Sequence, residues 1–120
     1  MGDLTKNFSR SEFKCKCGRC ASNYVDIRLV KGLQELRDLI GKPIIINSAT
    51  RCKEHNKAVG GVPNSQHVLG RAADIRVDGM ATSKLAEYAE MVDAFKNGGI
   101  GIYRTFVHVD VRGHRARWNG

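Results

Sequence analysis

Residues 65–74 read Ser-Gln-His-Val-Leu-Gly-Arg-Ala-Ala-Asp, and residues 108–110 read His-Val-Asp. The two segments contain two imidazoles and one carboxylate that could share a metal ion: His67, Asp74 and His108. Such a donor set suits zinc or another borderline divalent metal and leaves a fourth coordination position open. Gly70 allows the backbone to bend between the first histidine and the aspartate, so both side chains can turn toward one point. The segments therefore predict a metal site.

The second segment lies on a predicted strand with two unlike faces. Side chains alternate along a strand, so His108 and Asp110 share one face with Phe106. The opposite face carries valines at positions 107, 109 and 111, and we expect that face to pack on the core.

The apolar pattern of the remaining chain predicts several helices and strands. The first half contains a helix over 26–40 ended by Gly41, a strand over 43–46 and a short helix over 52–59. A strand over 72–77 follows, with a turn at 78–79, and then a helix capped by Thr82 that has Leu85, Ala89, Val92 and Phe95 on one face. The last two elements are strands over 100–103 and 106–111 around a tight turn. This order favours an α+β fold with a small antiparallel sheet and flanking helices. Phe8 and Phe13 are predicted core anchors.

The chain has 120 residues, which we interpret as a single domain over 1–120. It comprises a cysteine-containing N-terminal segment, 1–25, and a basic tail, 112–120. The net charge of +8 indicates either an anionic partner or simple solubility. No apolar run approaches the roughly 20 residues that cross a membrane. Seven aromatic residues besides the tryptophan are few for a surface that stacks bases, so we expect no nucleic-acid partner.

An ordered string of residues resembles a known family. Ser-x-His-x-x-Gly-x-Ala-x-Asp over 65–74, followed by His108, is similar to the pattern of the zinc D-Ala-D-Ala carboxypeptidases, the M15 peptidases. Residues 48–52, Ser-Ala-Thr-Arg-Cys, resemble the segment where that family carries a substrate-binding arginine. Both ends of the chain resemble a small phage-associated subgroup, over 8–13 and 109–118. The resemblance covers nearly the whole chain and implies the hedgehog/DD-peptidase-like fold.

The resemblance implies that His67, Asp74 and His108 are the ligands of one catalytic zinc ion. Many relatives place a Glu, Asp or His three to five residues before the last histidine, and this chain has Tyr103 and Thr105 there instead. Asp110 is then the candidate catalytic base. The alternative is that Asp110 orients a zinc ligand.

The substrate would be bound by further polar side chains. Arg51 is the candidate clamp for a substrate carboxylate, because a guanidinium binds a carboxylate through two hydrogen bonds. Ser65 is a candidate hydrogen-bond partner of the substrate or of a ligand. Tyr103 is a candidate donor to the oxyanion that develops during hydrolysis.

The four cysteines allow three interpretations: Cys15, Cys17, Cys20 and Cys52. They could hold a second, structural zinc ion, form disulfides, or remain free thiols. The tight Cys-x-Cys-x-x-Cys spacing favours a metal over two bridges, because a disulfide across one intervening residue would be strained.

The expected function is a zinc-dependent peptidase that cleaves peptidoglycan stem peptides, as a D,D-carboxypeptidase or an endopeptidase. The alternative is a non-catalytic, zinc-containing binding module of the same fold, since the upstream carboxylate is absent. The first residues lack the apolar region of a signal peptide, so we expect synthesis in the cytoplasm and action at the cell wall or in the periplasm. A phage endolysin or tail role fits the subgroup. We expect a monomer with no membrane partner.

Overall fold

The structure, a computed structural model, describes residue 8 and residues 26–48 and 71–119. Its elements are, in chain order, α1 (Ile27–Ile40), β1 (Ile45–Ser48), β2 (Ala72–Arg76), α2 (Thr82–Ala89), α3 (Asp93–Lys96), β3 (Gly99–Ile102), β4 (Val107–Asp110) and β5 (Ala116–Asn119). The α+β class is confirmed. The predicted helix over 52–59 lies outside the described residues.

The ends of α1 lie at the predicted boundaries, with Asp26 as its N-cap and Gly41 as the predicted stop. Asp26 precedes the helix, and its Oδ1 accepts a hydrogen bond from the backbone N–H of Arg28 at 2.9 Å. Gly41 follows the helix at φ 74°, a left-handed conformation that favours glycine, and its N–H donates to the carbonyl of Arg37. The predicted helix is therefore confirmed to within one residue.

The predicted second helix is divided in two. Thr82 is the first residue of α2 and does not cap it, because Ala81 holds the cap position and makes no side-chain hydrogen bond there. Val92 has an extended backbone, φ −100° and ψ 116°, which ends the helical path before α3 begins. The four residues predicted to share a face are nevertheless all buried. β1 also begins two residues later than the predicted strand over 43–46.

Within residues 26–48 and 71–119, five strands form one sheet in the order β1-β2-β4-β3-β5. Neighbouring strands are antiparallel except β3 and β5, which are parallel. The sheet is therefore mixed, and the prediction of an antiparallel sheet is wrong at this edge. The chain reverses direction after β4, so β5 runs opposite to β4 and alongside β3. β5 lies within residues 112–120, where the sequence indicated only a basic tail.

The core lies between the helices and one face of the sheet. Its buried side chains come from α1, α2, α3 and the inner face of three strands, and include Leu29, Leu33, Leu36, Leu85, Phe95, Ile75, Ile100, Val107 and Val109. Phe8 joins this cluster at 1% exposure, which confirms it as a core anchor. Phe13 lies outside the described residues. Because side chains alternate on β4, its polar residues lie on the opposite face of the sheet.

In the part of the chain that the structure describes, no helix has the length and apolar character needed to span a membrane.

Candidate active site

A row of side chains crosses the sheet on its polar face. Asp74 on β2 is the register partner of His108 on β4. His108 is also the partner of Gly101 on β3, which in turn is the partner of Trp118 on β5. Register partners point their side chains to the same face, so a carboxylate, an imidazole and an indole lie beside one another.

Asp74 and His108 form a close, buried pair. His108 Nδ1 lies 3.1 Å from Asp74 Oδ1, and the two residues are 8% and 7% exposed. A carboxylate oxygen and an imidazole nitrogen are both donor types that zinc binds, so the pair fits two of the three predicted ligands. Within the described residues, no group of three or more His, Cys, Asp or Glu side chains could hold a metal ion. The third predicted ligand, His67, lies outside them.

Asp110 is fully buried behind His108. Its Oδ2 accepts from His108 Nε2 at 2.8 Å, and its Oδ1 accepts from the backbone N–H groups of Gly99 at 2.8 Å and Arg112 at 3.1 Å. The Arg112 guanidinium contacts both oxygens, with Nε at 2.9 and 3.0 Å and Nη2 at 2.7 Å from them. Donors therefore surround both carboxylate oxygens.

These contacts determine the ionisation of Asp110 and His108 in the metal-free protein. Burial alone would raise the pKa of Asp110, but the hydrogen bonds from His108 and Arg112 outweigh it and hold that pKa well below its usual range. Burial alone would lower the pKa of His108, but the hydrogen bonds to Asp110 and Asp74 outweigh it and raise that pKa. Asp110 is thus an ionised carboxylate that only accepts hydrogen bonds.

An ionised Asp110 keeps a proton on Nε2 of His108. Because the carboxylate can only accept, Nε2 of the imidazole carries a proton, and Nδ1 is the nitrogen on the Asp74 side. These contacts support the orienting role that the sequence left open for Asp110. They give no support to its role as a base, since its oxygens are already covered by donors.

Two glycines of β3 make room for these polar side chains. A Cβ built on Gly99 would collide with the Asp110 carboxylate, and one built on Gly101 would collide with the Trp118 indole. Glycine inside a strand is typical of such close approaches. The sequence signal for this close approach is the Gly-x-Gly pattern over 99–101, which places two glycines on one face of a strand. The predicted strand over 100–103 gave these glycines no role.

Aromatic side chains continue the polar face beyond His108. The Trp118 and His108 ring centroids are 5.1 Å apart, and Trp118 Nε1 donates to the Tyr103 hydroxyl at 2.9 Å. Tyr103 stacks on Phe106 with centroids 4.5 Å apart and planes at 10°. The predicted site residue Tyr103 is therefore linked to the Asp74–His108 pair through Trp118.

The structure brings four predicted site residues to this face: Asp74, Tyr103, His108 and Asp110. The other predicted site residues lie outside the described residues: Arg51, Ser65, His67, Cys15, Cys17, Cys20 and Cys52. Sequence reasoning gave no site role to Trp118, Arg112 or Gly99. Arg112 and Trp118 both lie in the apparent tail. Trp118 contacts residues of other strands, and Arg112 binds Asp110, whose burial only the fold shows.

Three comparisons relate this chain to known proteins. The sequence model of the Peptidase M15 family matches residues 6–110. The probable peptidoglycan L,D-endopeptidase MepK of Haemophilus influenzae is 34% identical over 76 residues, which is 62% of this chain and 39% of that protein. The zinc D-Ala-D-Ala carboxypeptidase of Streptomyces albus G is 40% identical over 58 residues, 48% of this chain and 23% of that protein. The chain thus spans well under half the length of these relatives.

Proposed function

Because the chain belongs to the Peptidase M15 family, we propose that it is a zinc-dependent peptidase that hydrolyses peptide bonds in peptidoglycan stem peptides. The observation that carries this proposal is the buried Asp74–His108 pair, with 3.1 Å between carboxylate oxygen and ring nitrogen. The two relatives support the substrate class, since one is a probable peptidoglycan L,D-endopeptidase and the other a zinc D-Ala-D-Ala carboxypeptidase.

We assign Asp74, His108 and His67 as the residues that would hold zinc. When bound, the metal supplies a Lewis acid that polarises the scissile carbonyl and lowers the pKa of a water molecule. Asp110 holds the His108 ring by accepting from Nε2, and Arg112 in turn holds Asp110. Asp110 therefore acts as an orienting residue and not as a base in this proposal.

Substrate contacts are assigned to three residues. Tyr103 lies on the same face as the ligand pair and donates its O–H to the carbonyl oxygen, where negative charge develops during hydrolysis. Arg51 binds a carboxylate at the end or branch of the stem peptide, and Ser65 binds a substrate carbonyl. A carboxylate clamp at Arg51 suits an anionic substrate. A chain of net charge +8 would also attract the anionic material of the cell wall.

The finer expectations from sequence are kept as parts of the proposal. They are the hedgehog/DD-peptidase arrangement of the fold, action as a monomer at the cell wall or in the periplasm, and either carboxypeptidase or endopeptidase specificity. The phage endolysin or tail role and a structural zinc ion on the cysteines stay predictions.

A digest of purified peptidoglycan, analysed by mass spectrometry with and without a zinc chelator, tests the proposal. We expect chelator-sensitive stem-peptide products from the wild type, none from Asp74→Asn, and normal products from the matched control Asp93→Asn, whose aspartate is exposed. Loss of one D-Ala identifies a carboxypeptidase, and a divided stem or cross-bridge identifies an endopeptidase. No cleavage by the zinc-loaded wild type would overturn the proposal in favour of a binding module.

A further inference from the structure

Trp118 is the single tryptophan of the chain, and it lies on the polar face of the edge strand β5. Its indole covers Gly101, its ring centroid is 5.1 Å from that of His108, and the Arg112 guanidinium lies 5.1 Å from the ring. Its Nε1 donates to the Tyr103 hydroxyl at 2.9 Å. The indole is thus held on several sides by residues that the proposed peptidase uses.

The strand that carries Trp118 is also anchored from its other face. Arg117, which points away from the indole, donates from Nε to Glu90 at 2.8 Å and from Nη2 to Glu90 at 2.7 Å. The same guanidinium donates to the backbone carbonyls of Gly98 at 2.7 Å and Lys96 at 2.9 Å. Charge-assisted hydrogen bonds of this kind fix β5 against the helices. They therefore also fix the backbone position from which the Trp118 side chain extends.

The direction of the Trp118–Tyr103 hydrogen bond has a chemical consequence. An indole N–H can only donate, so the Tyr103 oxygen is the acceptor, and the tyrosine keeps its own O–H for another acceptor. Accepting one hydrogen bond polarises a hydroxyl and makes it a better donor in the next. Stacking on Phe106 fixes the plane of the tyrosine ring. Together these contacts hold the ring and the oxygen of Tyr103 in place, so the main remaining motion is rotation of its O–H group.

We propose that Trp118 is a positioning residue of the peptidase, and that it acts through Tyr103 by aiming and polarising the hydroxyl that donates to the substrate carbonyl. This inference rests on the proposed function, and it deepens it by adding a residue that does not itself touch the reacting atoms. A tryptophan that served only to pack β5 would contribute to stability and leave turnover unchanged.

A double-mutant cycle on kcat and KM for a purified muropeptide tests the inference. Trp118→Phe keeps an aromatic ring beside His108 and removes the N–H donor, whereas Tyr103→Phe keeps the stack on Phe106 and removes the hydroxyl. We expect Tyr103→Phe to lower kcat by about 10²-fold, as for loss of one oxyanion donor. Trp118→Phe should lower kcat by about 10-fold with KM changed less than about 3-fold, and should have no further effect in the Tyr103→Phe background.

In the kinetic cycle, the inference would be overturned by an unchanged kcat in Trp118→Phe, or by the same loss whether or not the Tyr103 hydroxyl is present. Tyr88→Phe, at a half-buried tyrosine of α2, is the matched control and should keep wild-type kcat.

The same cycle on the melting temperature of the metal-free protein provides a readout without activity. The contact predicts that the two single losses do not add in the double variant, and additive losses would overturn it. A wild type that hydrolyses no muropeptide would instead overturn the proposed function and the positioning role with it. Active wild type with an additive kinetic cycle would overturn the positioning role alone, so the two failures are distinguishable.

Discussion

His108 is held at both ring nitrogens, by Asp74 at Nδ1 and by Asp110 at Nε2. The two carboxylates occupy different positions in the fold. Asp74 is the register partner of the histidine on the next strand, whereas Asp110 lies two residues along the same strand. In the proposed function, Asp74 shares a metal with the histidine and Asp110 orients its ring.

Asp110→Asn tests the orienting role at the residue scale. An amide accepts a weaker hydrogen bond from the imidazole than a carboxylate does, so we expect zinc affinity to fall about 10- to 100-fold. Hydrolysis should return when zinc is raised to saturation. Competition with a chromophoric chelator measures the affinity, with Asp93→Asn as control. Unchanged affinity together with lost hydrolysis would show that Asp110 is the base instead.

Gly99→Ala tests whether the space above β3 is needed by Asp110. The added Cβ would collide with the Asp110 carboxylate, so that side chain must move away from His108. We expect a loss of zinc affinity of about 10-fold or more, as for other changes that disturb a residue orienting a ligand. Gly113→Ala is the matched control, because a Cβ there meets no atom within 4 Å. Equal zinc affinities in the two alanine variants would contradict the account.

The sequence predicted several residues of the candidate site but not the residues that hold them in place. Asp74 and His108 could be predicted because ligand type and spacing form a recognisable string, and strand alternation placed Asp110 on the face of His108. The role of Arg112 could not be predicted, since an arginine beside Gly113 in a basic segment is typical of a solvated tail. Only the fold shows that its guanidinium closes on a buried carboxylate.

At the scale of elements, β5 is held in place by contacts with other elements more than by a local strand pattern in its own sequence. Ala116–Asn119 alternates between apolar and polar side chains, but over only four residues, which is too short a pattern to predict a strand by itself. It nevertheless pairs with β3 and carries Trp118 into the site. Its attachment to the helices runs through Arg117 and Glu90. By contrast, α1 could be predicted closely, because its cap residue, apolar spacing and terminal glycine are all local signals.

Glu90→Gln tests this attachment through its pH dependence. Hydrogen bonds from Arg117 lower the pKa of Glu90 below its ordinary value of 4.5, against burial, which raises it. Ionised Glu90 therefore stabilises the folded protein fully above about pH 4.5, and this contribution is lost as the pH falls through the lowered pKa. A partly exposed pair of this kind contributes at most about 1 kcal/mol.

Thermal unfolding of the metal-free protein from pH 3 to pH 8 measures the effect. The melting temperature of Glu90→Gln should lie below that of the wild type at neutral pH, and the difference should shrink in acid. Glu87→Gln, at an exposed glutamate of α2, serves as control. A difference between wild type and Glu90→Gln that grows toward low pH would contradict the account.

At the scale of the whole molecule, the sheet separates an apolar core from a polar face. Val107 and Val109 pack against the helices, while His108 and Asp110 on the same strand lie on the other side. Packing of these valines in the core holds β4 in place. Because a movement of β4 would move His108 relative to Asp74, the core also fixes the geometry of the site. The α+β class could be predicted, but the parallel edge could not, since it requires β5.

Phe95→Ala tests the contribution of the core. Phe95 is fully buried on α3, where its ring packs closely against Gly32 of α1. Removing it leaves a cavity, and we expect the free energy of unfolding to fall by about 3–5 kcal/mol. Met91→Ala, at a residue 64% exposed, should change it by less than about 0.5 kcal/mol. Denaturant unfolding compares the two, and similar costs would contradict this view of the core.

The central claim is that Asp74 and His108 belong to a zinc site that hydrolyses peptidoglycan peptides. The most direct measurement is the rate of stem-peptide cleavage by metal-free protein as zinc is added back, read by mass spectrometry. We predict no cleavage without metal, a rate that rises with zinc to a plateau, and no cleavage at any zinc level for Asp74→Asn. Cleavage by the metal-free wild type, or none at saturating zinc, would contradict the account.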